Sequence, residues 1–176
     1  GINTLNLCQF FGFDIPVSLG SSTPILKEIQ VCPDIHGETG LDGFDFPHLS
    51  KSFSDKRAVE YLIETLISSK DKITVVTTGP MTNLALAIKV EPNILNHIED
   101  VVVMGGSIAN GNVSPAAEYN IYADPEAAHI VFNSGLKVLM VGLDVTRKVM
   151  VLKDVVDRMD AIGNHVSELF VKLMNV

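Results

Sequence analysis

A chain of 176 residues with 47% hydrophobic side chains can bury a core and is close to the roughly 150-residue size of one domain, so a single globular domain over residues 1–176 is expected. Its 21 acidic against 13 basic residues give a formal charge of -8 with the basic side chains scattered, which leaves no positive stripe for phosphates and argues against nucleic acid as a partner. No apolar run approaches the length of about 18 residues that reads as a membrane span, no basic-then-apolar leader opens the chain, and Cys8 and Cys32 lack CxxC or histidine spacing, as suits reduced thiols in a cytoplasm.

The opening INTLNLCQFFG places Leu5, Cys8 and Phe10 or Phe11 at helical spacing and ends at Gly12, a helix stop. Residues 15–19 read as a short strand, followed by the small-residue turn 20–23. The stretch through Ser54 is irregular, and its Gly-rich run CPDIHGETGLDG is too long for an idle connection. From Ser54, an expected N-cap, a helix runs to about residue 68 with Ala58, Val59, Leu62, Ile63 and Leu66 on one face.

Strand and helix then alternate: strand 73–77, helix 83–88, a short helix to 98, strand 101–104, a helix from Asp124 and strand 138–141. That order predicts an α/β fold, an open and mainly parallel Rossmann-like sheet with helices on both faces. The runs ITVVT, VVVM and VLMV are apolar without polar alternates, as strands covered on both sides should be. Two further helical patterns follow, over 151–159 and from 166 to 174 after Asn164. Helical patterns at both chain ends suggest a piece of a longer protein, incomplete at both ends.

In such a sheet, ligands bind beyond the carboxyl ends of the strands. Three segments arrive there: TTGPMTN after the first strand, Met104-Gly105-Gly106 after the second, and GLDVT after the last. At Thr78 the following Gly79-Pro80 forces a bend that frees its carbonyl for a ligand or cation, or simply turns the strand into the next helix. Met104 reads either as core or as a soft apolar floor.

The segment GNVSPAAEYN carries Asn112, Glu118 and Asn120. Amides donate and accept at once and a carboxylate takes a hydroxyl proton, so the three side chains suit the vicinal hydroxyls of a sugar; equally, asparagines of this kind satisfy turn backbone. Asp124-Pro125-Glu126 is a helix start, with Asp124 as cap. Of five histidines only His36 lies in a Gly-rich loop, where an imidazole could serve as a general acid. Walker, GxGxxG, HExxH and GxSxG patterns are missing.

The ordered set TTGPMTNLALA, VVVMGG, GNVSPAAEYNIYADPEAA and GLDVT resembles the inosine-uridine preferring nucleoside hydrolase family, and HGETGLDG is similar to that family's mobile-loop segment. The resemblance implies hydrolysis of the N-glycosidic bond of ribonucleosides in nucleoside salvage by a cytoplasmic homo-oligomer, a dimer or tetramer, with one Ca²⁺ gathering the ribose hydroxyls and the attacking water. It implies Thr78 as a backbone-carbonyl ligand to calcium, Asn112, Glu118 and Asn120 as the ribose-binding trio, Met104 under the nucleoside, Tyr119 near the base and His36 approaching the leaving base.

The family's Asp-rich cluster and its C-terminal His-Asp pair have no match here, so these residues alone are expected to be inactive. Two other expectations stand beside that one. One is a truncated, non-catalytic member that at most binds ribose or nucleoside. The other is a phosphorylase-like transferase, which would need a phosphate-binding Arg or Gly cluster that the sequence lacks.

Overall fold

The computed structural model describes residues 1–29, 37 and 39–174. The chain divides into two compact units, one of Ser18–Gln30 and Asp55–Val149, the other of Gly1–Val17, Val31–Ser54 and Met150–Val176.

The first unit is an α/β layer. Helix α2 (Ala58–Ser68) leads into strand β1 (Ile73–Thr77), helix α3 (Thr82–Val90), a 3-10 turn (Pro92–His97) and strand β2 (Ile98–Met104). A loop then reaches helices α4 (Tyr119–Ala123) and α5 (Pro125–Phe132), strand β3 (Val138–Val141) and helix α6 (Leu143–Thr146). The three strands are parallel in the order β1-β2-β3, as the alternation of elements predicts.

The register pairs Val75 with Val101 and Val101 with Val138, and this row faces the helices. Leu66 of α2, Ala85 and Ala87 of α3, and Ala127 and Val131 of α5 are all fully buried there with Val101 and Val103. Alanines on α3 and α5 let the two helices approach closely, so the layer closes on β2, the central and most buried strand.

The alternate row, Val76, Val102 and Leu139, points the other way. Val76 and Leu139 are 61% and 58% exposed, so this row is less covered than the one packed against α2, α3 and α5.

Two sequence expectations are corrected. Residues 15–19 form no strand: their backbone bonds go to isolated partners, with Ser54 N–H donating to the Val17 carbonyl at 2.8 Å and Ala58 N–H to that of Leu19 at 2.9 Å. The latter bond also explains why α2 starts at Ala58 and not after Ser54. Glu60 reaches back to accept the Arg57 N–H at 3.3 Å and so fixes the first turn there.

In the second unit, α1 (Ile2–Phe10) buries Leu5 and Cys8, and the chain turns at Gly12 with Phe13 N–H donating to the Cys8 carbonyl at 2.8 Å. Cys8 is a free thiol; Cys32 lies outside the described residues. Phe10 meets Phe44, Phe46 and His165 edge-on or tilted, and Gln9 ties down the segment at His48 and Ser50. Helix α7 (Lys153–Asp160) packs on α8 (His165–Met174). The latter is capped by Asn164, whose Oδ1 accepts the Ser167 N–H at 2.9 Å.

Candidate functional site

The carboxyl ends of β1 and β2 are level. Thr77 pairs with Val103, so Thr78 and Met104 are the next residues out on neighbouring strands, and Met104 pairs with Val141. All three strand-end segments therefore share one edge of the sheet, as the parallel topology requires. Thr78 is exposed and borders a cavity of about 300 Å³, walled by Ser18, Tyr61, Thr77, Pro80 and Asn83. The hydroxyl oxygens of Ser18 and Thr77 are buried there without a hydrogen-bond partner among the described residues.

Next to it, the structure gathers Met104, Asn112, Glu118, Tyr119 and Asn120. Glu118 is 3% exposed and caps α4. Its Oε2 accepts the Gly106 N–H at 2.9 Å, the Asn120 N–H at 2.9 Å and the Ile121 N–H at 3.2 Å. One carboxylate oxygen thus joins the end of β2 to the start of α4, while Oε1 takes no hydrogen bond among the described residues. Gly106 is suited to this junction: its φ is +79°, and a Cβ would lie 2.8 Å from the Met140 sulfur.

The two amides are oriented by complementary bonds. Asn120 Nδ2 donates to the Met104 carbonyl at 3.0 Å and lies 3.2 Å from its sulfur. Asn112 Oδ1 accepts the Tyr119 N–H at 2.9 Å. Each amide spends one end on the protein and leaves the other: Asn112 keeps its NH₂ donors, and Asn120 its carbonyl acceptor. Added to Glu118 Oε1, the set offers one donor group and two acceptors, which matches a pair of hydroxyls that each donate and accept.

The loop between β2 and α4 is a compact knot. Gly111 and Asn112 N–H groups bond the carbonyls of Pro115 and Ala117 at 3.0 Å each, and a Cβ on Gly111 would sit 2.3 Å from Ala117 backbone. Beyond it, α6 presents Asp144, and Arg147 follows as its C-cap. Asp144 Oδ2 accepts the Ile108 N–H at 2.6 Å and faces Ser107 Oγ at 3.4 Å. That backbone N–H first, with a smaller share from Ser107, lowers the Asp144 pKa against the opposing effect of desolvation. Arg147 donates from Nη1 to the Asn110 carbonyl at 2.9 Å and from Nη2 to that of Gly111 at 2.8 Å.

Asp124 caps α5 as expected, accepting the Ala127 N–H at 3.0 Å. It is also fully buried, and its second oxygen accepts the Thr82 hydroxyl at 2.5 Å and the Ile25 N–H at 3.1 Å. These long-range partners, like those of Asp144 and Arg147, leave no local pattern. The only sequence signal was the three-residue step from Asp144 to Arg147, which puts both on one side of a helical turn. His36 lies outside the described residues.

A parallel α/β layer with two half-bonded amides and a carboxylate oxygen gathered at its carboxyl edge is the setting of a small-molecule site of the strand-end type. The chain belongs to the inosine-uridine preferring nucleoside hydrolase family, whose model matches residues 2–176. It is 45% identical over 174 residues to the pyrimidine-specific ribonucleoside hydrolase RihB of Escherichia coli O17:K52:H18, covering 99% of this chain and 56% of that protein. The protein of the same name from Shigella flexneri gives the same figures.

Among solved structures, the purine-preferring ribonucleoside hydrolase from Gardnerella vaginalis superposes with a TM-score of 0.93 at 31% identity, over 98% of this chain and 57% of that one. A plant nucleoside hydrolase, PpNRh1, gives 0.77 at 41% identity over 84% and 48%. The chain spans about half the length of the relatives it matches.

Proposed function

We propose that the protein to which this chain belongs hydrolyses the N-glycosidic bond of ribonucleosides to ribose and free base, and that Asn112, Glu118 and Asn120 hold the ribose. The observation that carries this reading is the unspent half of each side chain: the Asn112 NH₂, the Glu118 Oε1 and the Asn120 carbonyl are left by bonds that fix their other halves. Family membership supports the reaction.

In the reaction a water oxygen bonds to the anomeric carbon as the carbon–nitrogen bond breaks, and the base leaves with a proton. Positive charge grows on the ribose at the transition state, so hydrogen bonds from its hydroxyls to a carboxylate and an amide carbonyl strengthen there and favour it over the ground state. Met104, held by the Asn120 amide, offers the apolar floor, and Tyr119 flanks the base.

Calcium is part of the proposal for the whole protein, where it would lower the pKa of a bound water and orient it. The described residues do not make such a site by themselves. They contain no group of three His, Cys, Asp or Glu side chains placed to hold an ion, and one Thr78 carbonyl falls short of the about six to eight oxygens calcium takes. The 176 residues alone are expected to be inactive and at most to bind ribose or nucleoside. A cytoplasmic homo-oligomer belongs to the same reading; among the described residues no helix is long and apolar enough to cross a membrane.

The test is release of free base from uridine and inosine by the full-length protein, with Glu118→Gln alongside. Base release that drops sharply in the variant supports the reading; release unaffected by the variant, or none from either nucleoside, overturns it.

A further inference from the structure

We propose that Arg147 and Asp144 are positioning residues for sugar recognition: α6 clamps the loop 107–117 and thereby aims Asn112 at the substrate. The inference rests on the ribose reading of Asn112 given above.

The clamp is built from both ends of one helical turn. Arg147 uses its planar fork to hold two successive carbonyls, those of Asn110 and Gly111, immediately before Asn112. Asp144 holds the start of the same loop through the Ile108 N–H and Ser107. The helix that carries them is itself fixed to the strand edge: Leu143 N–H donates to the Gly106 carbonyl at 2.9 Å, and a Cβ on Gly142 would meet that same oxygen at 2.7 Å. Gly106 in turn bonds Glu118. The clamp therefore refers the position of Asn112 to the same residue that positions Glu118.

The loop needs an external reference. Its own bonds, from Gly111 to Pro115 and from Asn112, Val113 and Ser114 to Ala117, close it on itself, and Asn112 Oδ1 accepts the Tyr119 N–H at the start of α4, but none of these ties residues 107–111 to the sheet edge. Ile108 is 85% exposed, and Ala109, Asn110, Asn112 and Val113 are exposed as well, so no apolar burial anchors that side of the loop. Arg147 is also exposed, so its truncation removes the fork without opening a core cavity.

The experiment is steady-state hydrolysis of uridine and inosine by the full-length protein and its Arg147→Met, Arg147→Lys, Asp144→Ala, Asn112→Ala and Arg147→Met/Asn112→Ala variants, with thermal unfolding of each. The clamp predicts that Arg147→Met raises KM about tenfold, as loss of one hydrogen bond to the sugar would, with a smaller change in kcat and an unfolding midpoint near wild type. Arg147→Lys, which can hold one carbonyl, recovers part of the loss, and Asp144→Ala raises KM in the same sense. In the Asn112→Ala background, Arg147→Met adds nothing, because both act through one contact.

Asn112→Ala impaired while Arg147→Met keeps wild-type KM overturns the clamp alone; so do additive effects in the double variant. Asn112→Ala with unchanged KM overturns the ribose reading, and the clamp with it.

Discussion

Gly106 and Glu118 are joined at 2.9 Å, backbone N–H to Oε2, across twelve residues of chain. The bond runs from the end of the central strand to the first turn of α4, so the carboxylate proposed to hold ribose is also the cap that holds its own surroundings. A change at Glu118 therefore affects both binding and the local frame. Glu118→Gln keeps an acceptor oxygen for the backbone but loses the charge, and its kcat/KM should fall about 10- to 100-fold, a loss of about 1.4–2.8 kcal/mol of transition-state binding. Glu118→Ala, which also orphans three N–H groups, should fall further and lower the unfolding midpoint.

Asp124 makes a purely structural prediction. It is fully buried and accepts from Ala127, Thr82 and Ile25, tying α5 to α3 and to the segment before α2. Asp124→Ala removes a helix cap and leaves buried donors unpaired, and should cost about 2–4 kcal/mol in urea unfolding. A loss under about 1 kcal/mol would show that those partners find water or each other instead.

The Asp144 carboxyl, held below its usual range chiefly by the Ile108 N–H, gives a pH dependence of defined sign. A depressed folded pKa contributes order that is present above the unfolded value of about 3.9 and is lost as pH falls through the folded one. The hydrogen-exchange protection factor of the Ile108 amide should hold from neutral pH down to about pH 4 and decline only below it. In Asp144→Ala the amide should be unprotected at every pH. Protection in wild type that already disappears near pH 6 would contradict the assignment.

Leu66, fully buried between α2 and the sheet, reports on the core that holds the strand ends level. Leu66→Ala should cost about 2–5 kcal/mol, read as a lower denaturant midpoint with unchanged slope. Removing divalent cations from the full-length protein with a chelator should abolish base release, and added Ca²⁺ should restore it; activity that survives the chelator would remove calcium from the reading.

The layer was legible because its signals are local. Apolar four- and five-residue runs, Pro125 behind a capping Asp124 and the turn at Gly79-Pro80 each act within a few residues, and they located all three strands and the α5 start. Residues 15–19 misled for the same reason: their composition suits a strand, but a strand needs a ladder partner, and composition carries no information about one. The candidate site was legible as a proposal, since Asn112, Glu118 and Asn120 fall within nine residues of sequence. What holds them was not. The bonds that join Arg147 to Asn110 and Ile25 to Asp124 cross 37 and 99 residues, so they exist only once the chain has folded.

The most direct measurement is the ratio of kcat/KM for uridine to that for 2′-deoxyuridine, taken on the full-length protein and on Asn120→Ala. If Asn112, Glu118 and Asn120 read the sugar hydroxyls, the wild type favours the ribonucleoside by at least about 100-fold and the variant loses most of that preference, because the hydroxyl's partner has been removed. Equal turnover of the two nucleosides by the wild type, or a preference that survives in Asn120→Ala, would contradict ribose recognition by this site.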